Sequence, residues 1–280
     1  MDEHFRAFSF VDRIHALQPG VRVRGSYTIP DGLATFSASL VAEAVGQLAA
    51  WAVMAALDFK CRPVAGLAAS IELLAPVRPG QVLELAAELE TVDSQAVAYG
   101  GTACAGGIPV VRLDNCVGPL LPLEEFDDPQ AMRDRFALLQ GAGAMPGAFG
   151  GVPSFAFDRT DGEAGQWLRA LLRVPTSAPF FGDHFPRRPV LPGTLLVNSN
   201  LDLAATLAAQ LPPPTSGRRW VLRGMSDVKL RAFTPPGETL ELEVRLNQLS
   251  TSAASMSVET RKGKRLISGA RVLLAPEASS

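Results

Sequence analysis

A pattern of residues near the N-terminus of this chain recurs in its second half, in the same order and at nearly constant spacing. Asp12-Arg13 recurs as Asp158-Arg159, 146 positions on, and Pro30 as Pro175, 145 on. Leu40 recurs as Leu195 and Glu43 falls on Asn198, both at an offset of 155. The turn Pro79-Gly80 with Leu83–Leu85 behind it recurs as Pro236-Gly237 with Leu240–Leu242, at 157. Any one pair is compatible with chance; their shared spacing marks a duplicated structural unit. With 280 residues there is room for two ordinary domains. The expected division is 1–123 and 154–280, joined by 124–153.

Local patterning gives both halves the same order: strand, buried helix, then several strands. Val21–Ile29 alternates apolar and polar residues, as a half-buried strand does. Leu33–Phe59 is apolar on nearly every face and rich in Ala and Leu, which predicts a helix enclosed on several sides. Ala65–Leu74, Val82–Val92, Ala96–Ala105 and Ile108–Gly118 follow as strands punctuated by Gly and Pro, most clearly at Arg78-Pro79-Gly80. Glu124–Leu139 is charged and helix-compatible, and Gly141–Pro153 has the composition of a flexible linker. The second half reads as strands in Ser154–Pro175, a helix over Thr194–Gln210 and a loop over Leu211–Arg219. Strands follow at Trp220–Leu230, Thr239–Leu249, Ala253–Arg261 and Leu266–Leu274.

Composition narrows the function classes. A net charge of −2 with no basic block argues against nucleic acid as the main partner. Cys61, Cys104 and Cys116 are odd in number and lack metal-ligand spacing, so they read as free thiols in a reducing compartment. The N-terminal MDEHFRAFSF lacks the basic-then-apolar order of a signal peptide. Leu33–Leu57 is long enough to suggest a membrane span, but Glu43 and Gln47 near its middle would be costly in lipid. The expectation is a soluble, cytoplasmic protein with no membrane span.

The offsets jump by ten between Pro30 and Leu40, and this is the main difference between the halves. The first half has only DGLATFSAS (Asp31–Ser39) where the second has TSAPFFGDHFPRRPVLPGT (Thr176–Thr194). The longer version carries His184, the only histidine beyond the first fifteen residues. Pro186, Pro189 and Pro192 fix φ and remove donors, so the segment runs extended and then feeds the helix. Taken alone, it fits a rigid loop presenting a histidine and a proline-rich surface turn equally well.

HFPRRPVLPGTLL, with VDR near the first unit's N-terminus, resembles the hotdog-fold 3-hydroxyacyl-ACP dehydratases of bacterial fatty acid synthesis. The resemblance covers most of both halves and is strongest at 180–197. It implies an α+β double hotdog, each unit a long helix wrapped by an antiparallel sheet, the two forming an intramolecular pseudo-dimer open to further homo-oligomerisation. In that family the active site lies at a dimer interface, with histidine from one subunit and Glu or Asp from the partner's helix. Here His184 takes the histidine position while its own helix has Asn198 at the acid position. The first unit reads Glu43-Ala44-Val45-Gly46-Gln47, like the family's E-A-M-A-Q, but has no histidine loop. Each unit lacks what the other retains, which implies one composite site of His184 and Glu43.

The resemblance assigns His184 as the base at C2 and Glu43 as the acid to the leaving 3-hydroxyl. A neutral imidazole titrates near the right range for a base, and a carboxyl buried in an apolar helix is held protonated by desolvation. Read alone, Glu43 suits equally a core carboxyl satisfied by a hydrogen bond. The family's oxyanion glycine, five residues before the acid, falls on Ala38, between Ser37 and Ser39. Ser39, Gln47, Phe181, Phe185 and Gly193 are the further substrate-binding candidates; for Phe180, Phe181 and Phe185 the alternative is ordinary core. Arg187 and Arg188 suit either an acidic carrier protein or solvent. The expected substrate is a thioester on acyl carrier protein or coenzyme A, in fatty acid or polyketide-type biosynthesis, with no cofactor and no metal. Two other readings remain: a hotdog thioesterase, and a non-catalytic acyl-binding or scaffold subunit.

Overall fold

The computed structural model describes residues 4–146, 149–152, 155, 157–214 and 219–277. In the first unit β1 (Arg13–Gln18) and β2 (Arg22–Thr28) form a hairpin that leads into α1 (Ala38–Ala56). Then come β3 (Cys61–Pro63), β4 (Leu67–Leu73), β5 (Val82–Val92), β6 (Ala96–Ala105) and β7 (Ile108–Pro122). A 3-10 turn at Leu123–Glu125 and α2 (Pro129–Gln140) follow. The second unit opens with the hairpin β8 (Phe157–Glu163) and β9 (Trp167–Arg173), a 3-10 turn at Pro179–Gly182 and α3 (Gly193–Ala208). It closes with β10 (Trp220–Leu230), β11 (Thr239–Leu249), β12 (Ala254–Lys262) and β13 (Arg265–Pro276).

One antiparallel sheet runs β1-β2-β5-β6-β7-β4-β10-β13-β12-β11-β9-β8, with β3 pairing beside β7. The order is the same from either end: β1 answers β8, β2 answers β9, β5 answers β11, β6 answers β12, β7 answers β13 and β4 answers β10. Each unit is thus a sheet curled around its own helix, and β4 and β10 join the two sheets edge to edge with Ile71 opposite Met225 and Ser70 opposite Ser226. Gly224 makes that junction possible, because a Cβ there would lie 2.4 Å from the carbonyl oxygen of Ile71. The duplicated residues occupy equivalent places. Asp12 accepts from Thr28 N at 2.6 Å, and 145–146 positions later Asp158 pairs with Arg173 at 3.0 Å.

Patterning explains the elements. β5 buries Leu83, Leu85, Ala87 and Leu89 and turns Glu84, Glu88 and Glu90 outward, the period of two that a one-sided sheet requires. In α1, Ala44, Leu48 and Ala52 repeat at every fourth residue and are fully buried, as are Val45 and Val53. Burying each larger aliphatic side chain contributes roughly 1.5–3 kcal/mol. By length and composition α1 matches a membrane span, but most of it is buried inside this sheet as a core helix. It starts later than expected. Pro30 O accepts from Leu33 N in a turn, and Ser37 is extended (φ −71°, ψ 153°), so helical backbone begins only at Ala38. Of the expected linker 141–153, residues 147, 148 and 153 lie outside the described residues; so do 154 and 156 of the expected strand segment 154–175 and 215–218 of the expected loop 211–219.

Candidate active site

The insertion that distinguishes the second unit folds as the 3-10 turn Pro179–Gly182 followed by Asp183-His184. The amide of His184 donates to Phe180 O at 2.8 Å, and its ring Nδ1 lies 3.3 Å from Val190 O. A carbonyl oxygen only accepts, so Nδ1 carries the proton and Nε2 is left as the lone-pair nitrogen. The Phe185 ring stacks on the imidazole with centroids 4.0 Å apart, and Phe8 meets it edge-on at 5.8 Å. Burial, and secondarily the positive charge of Arg62, push the imidazole pKa down to about 3, so His184 is neutral at physiological pH.

Glu43 projects from α1. Its Oε1 accepts from Gln47 Nε2 at 3.0 Å and its Oε2 from Thr194 Oγ1, across the unit boundary, at 2.7 Å. Gln47 is itself oriented by backbone: its Oε1 accepts from Phe10 N at 2.8 Å and its Nε2 donates to Phe8 O at 3.0 Å. Since Gln47 presents only a donor to Oε1, a proton on Glu43 belongs on Oε2, beside a hydroxyl that can accept as well as donate. Burial raises the carboxyl pKa, opposed by the bonds from Thr194 and Gln47 and by Arg62. At the mirrored position Ser39 Oγ donates to Asn198 Oδ1 at 2.7 Å, and Asn198 Nδ2 donates to Asp202 at 3.0 Å. Ser39 and Thr194, Glu43 and Asn198, Gln47 and Asp202 are each 155 apart. The hydrogen-bond skeleton is conserved between the two positions; the acid is present in only one.

Glu43 and His184 line one cavity of about 200 Å³ together with Gly193, Thr194, Ser39, Gln47 and Phe185. Its apolar wall includes Ala50, Trp51, Met54, Val97 and Leu113, and Tyr99 stands near Gly46, where an added Cβ would lie 3.3 Å from the Tyr99 hydroxyl. Two expected residues fall elsewhere. Ala38 is not among the lining residues, though Ser39 beside it is; the start of α3, the helix of His184's own unit, opens on the cavity at Gly193 and Thr194. The first amides of a helix have no intrahelical acceptor, so these two remain available as donors. Leu230 packs so closely that a Cβ on Gly193 would lie 2.5 Å from its Cδ1. Phe181 does not line the cavity either; it is core, packed against Phe180 at 4.6 Å.

Further groups hold the site together. Asp183 accepts from Phe5 N at 2.5 Å and from Phe8 N at 2.6 Å, so residues 5–10 are strapped between the histidine loop and Gln47. Arg62, just after the start of β3, is buried beside the cavity with its guanidinium 3.9 Å over the Phe185 ring and 3.6 Å from buried Asp127. Arg187 and Arg188 are engaged within the chain, with Asp128 at 2.9 Å and Glu125 at 3.4 Å, and tie the histidine loop to the connection between the units. No group of three His, Cys, Asp or Glu suited to a metal ion occurs among the described residues.

The chain is a hotdog-fold protein, with two hotdog units in one polypeptide. Solved structures with this fold include one from Lactobacillus plantarum assigned as an oleoyl thioesterase (9% identical, TM-score 0.60, covering 92% of this chain and 97% of that one). An acyl-ACP thioesterase from Bacteroides thetaiotaomicron is 12% identical (TM-score 0.52, 90% and 97% covered), and a MaoC-like dehydratase is 14% identical (0.51, 93% and 98%). At these identities the likeness is one of fold. In sequence, residues 160–270 match the ApeI-like family, described as ApeI dehydratase. The 3-hydroxyacyl-[acyl-carrier-protein] dehydratase FabZ of Mannheimia succiniciproducens is 33% identical over 95 residues, 34% of this chain and 63% of that protein. That of Clostridioides difficile is 28% identical over 116 residues, 41% of this chain and 81% of the relative. The chain spans only 60% and 56% of the length of the FabZ proteins of Roseiflexus and Rickettsia massiliae. Residues 160–270 are thus similar to the ApeI-like family, and the chain resembles FabZ dehydratases over part of its length.

Proposed function

We propose that the chain dehydrates 3-hydroxyacyl thioesters, carried on acyl carrier protein or coenzyme A, to trans-2-enoyl thioesters at one composite site. The observation that carries this reading is that His184 and Glu43, from different units, line one cavity. His184 Nε2 removes a C2 proton, and the charge developing on the thioester oxygen meets the Gly193 and Thr194 amides at the start of α3. Glu43 gives its Oε2 proton to the C3 oxygen, which leaves as water. A resting imidazole with so low a pKa gains basicity as the reaction proceeds, since the enolate is a nearby anion in a water-poor cavity. Three free thiols suit action in the cytoplasm.

Purified protein mixed with 3-hydroxyacyl and enoyl thioesters, followed for interconversion and for thiol release, tests this directly. His184→Ala and Glu43→Gln should each lower interconversion by about 10²-fold or more, while Asn198→Ala keeps most of it. Full activity in Glu43→Gln would sink the composite site. The thioesterase-like fold neighbours favour hydrolysis as the second reading, with Glu43 activating water; thiol release without interconversion would establish it in place of dehydration.

A further inference from the structure

Arg62 is an expensive residue for this cavity. Its Nε and Nη1 are sealed from solvent with no hydrogen-bond partner, and the nearest counter-charge, Asp127, stands 3.6 Å from Nη1, beyond the range of a charge-assisted hydrogen bond. Asp127 is shared, since its Oδ2 also lies 3.4 Å from His4 Nε2. Burial lowers the Arg62 pKa to about 10, which still leaves the guanidinium charged at physiological pH. A buried donor left unpaired carries a desolvation cost, and Nε and Nη1 both carry it here. The stack on Phe185 offsets part of this. Only 13% of the side chain is accessible and Arg62 lines the cavity; of its three guanidinium nitrogens, Nη2 is the one not sealed. Phe185 carries Arg62 at 3.9 Å and His184 at 4.0 Å, so the guanidinium stands one ring away from the base. Elsewhere the wall is largely apolar.

We infer that Arg62 reads an oxygen on the acyl chain: the cavity selects 3-hydroxyacyl groups that carry a second, neutral oxygen acceptor, a ketone or hydroxyl, beyond C3. This deepens the dehydratase reading and rests on it. A neutral acceptor fits better than a carboxylate because Asp127 already balances the guanidinium. A second anion would be buried without its own counter-ion, whereas a carbonyl or hydroxyl oxygen gives Nη2 an acceptor at no net charge. A plain alkyl chain of the same length would cover Nη2 without offering it an acceptor.

The test compares 3-hydroxyoctanoyl pantetheine thioesters with analogues bearing a ketone at C5, C6 or C7. Dehydration rates are measured, and binding of the corresponding non-reactive amides is followed by calorimetry. At least one keto chain should exceed the plain chain by about tenfold in kcat/KM and in affinity, the worth of one hydrogen bond to a charged group. That ratio should fall below twofold in Arg62→Met, whose folding is checked by thermal melting. A wild-type protein that binds plain and keto amides equally overturns the proposal whatever becomes of Arg62→Met, as does a preference that survives in a folded Arg62→Met. If the amides show the preference but no thioester is dehydrated, the proposed reaction fails and the selectivity stands.

Discussion

Glu43 and His184 are both shifted by burial toward their neutral forms, one upward and one downward, and their pH behaviour follows. Catalysis of dehydration needs Glu43 protonated and His184 unprotonated. With the imidazole pKa near 3, kcat/KM should stay level as pH falls from 7 to 5, where an ordinary histidine base would already have titrated. On the alkaline side kcat/KM should decline as pH passes the raised pKa of Glu43. An acid limb with a midpoint near 6.5 would refute this assignment of His184. The same shifts bear on stability. The folded pKa of Glu43 lies above its unfolded value, so this carboxyl costs no stability below about pH 4.5 and progressively more as pH rises toward the folded pKa. Glu43→Gln should therefore raise Tm at pH 7–8 and lose that advantage near pH 4.5. His184 has the opposite dependence: its depressed folded pKa means that stability falls as pH drops below about 6.5 toward 3. A Glu43→Gln protein no more stable than wild type at pH 8 would show that the carboxyl is not strained by burial.

The elements that hold these residues include one from the far end of the chain. Residues 5–10 reach Asp183, next to His184, and Gln47, one turn beyond Glu43, and place Phe8 against the imidazole. Asp183→Ala removes the two carboxylate oxygens that accept from the Phe5 and Phe8 amides and should lower kcat about tenfold with little change in KM, by letting the loop shift. Asp183→Asn keeps one acceptor oxygen and should recover much of the loss; equal kcat in Asp183→Ala and wild type would separate the strap from the chemistry. This clamp was not legible in the sequence, because Asp183 and Gln47 act on backbone groups far away in the chain. What was legible depended on local regularity. β5, β6, β10 and β11 have the limits that alternation predicts. β1 was missed because its pattern is weak, with Ile14 its single buried side chain, and β3 because three residues carry no period. Glu43 and His184 could be singled out from the repeat and the motif, and both line the cavity, but Arg62 could not, since an isolated arginine is ordinarily exposed. The offset of 155 also pairs Ala38 with Gly193, so sequence alone could not say which helix start would open on the cavity.

At the scale of the molecule, the junction of β4 and β10 makes two curled sheets into one. Gly224→Ala places a methyl group against a backbone carbonyl that no rotamer change can relieve, so the strands must move apart. A loss of roughly 1–3 kcal/mol in stability is expected, read as a lower denaturant midpoint, with a fall in activity since Glu43 and His184 come from opposite sides of that junction. Unchanged stability would mean that the sheets accommodate the methyl group freely. The junction also bears on inheritance. When two identical subunits build two identical sites, every mutation is made twice, and neither site can specialise alone. Here the mirrored pairs Thr194–Glu43 and Ser39–Asn198 are separate codons in one reading frame. One position could give up its carboxyl while the other kept it, and each chain that folds delivers Glu43 and His184 in a fixed ratio of one to one.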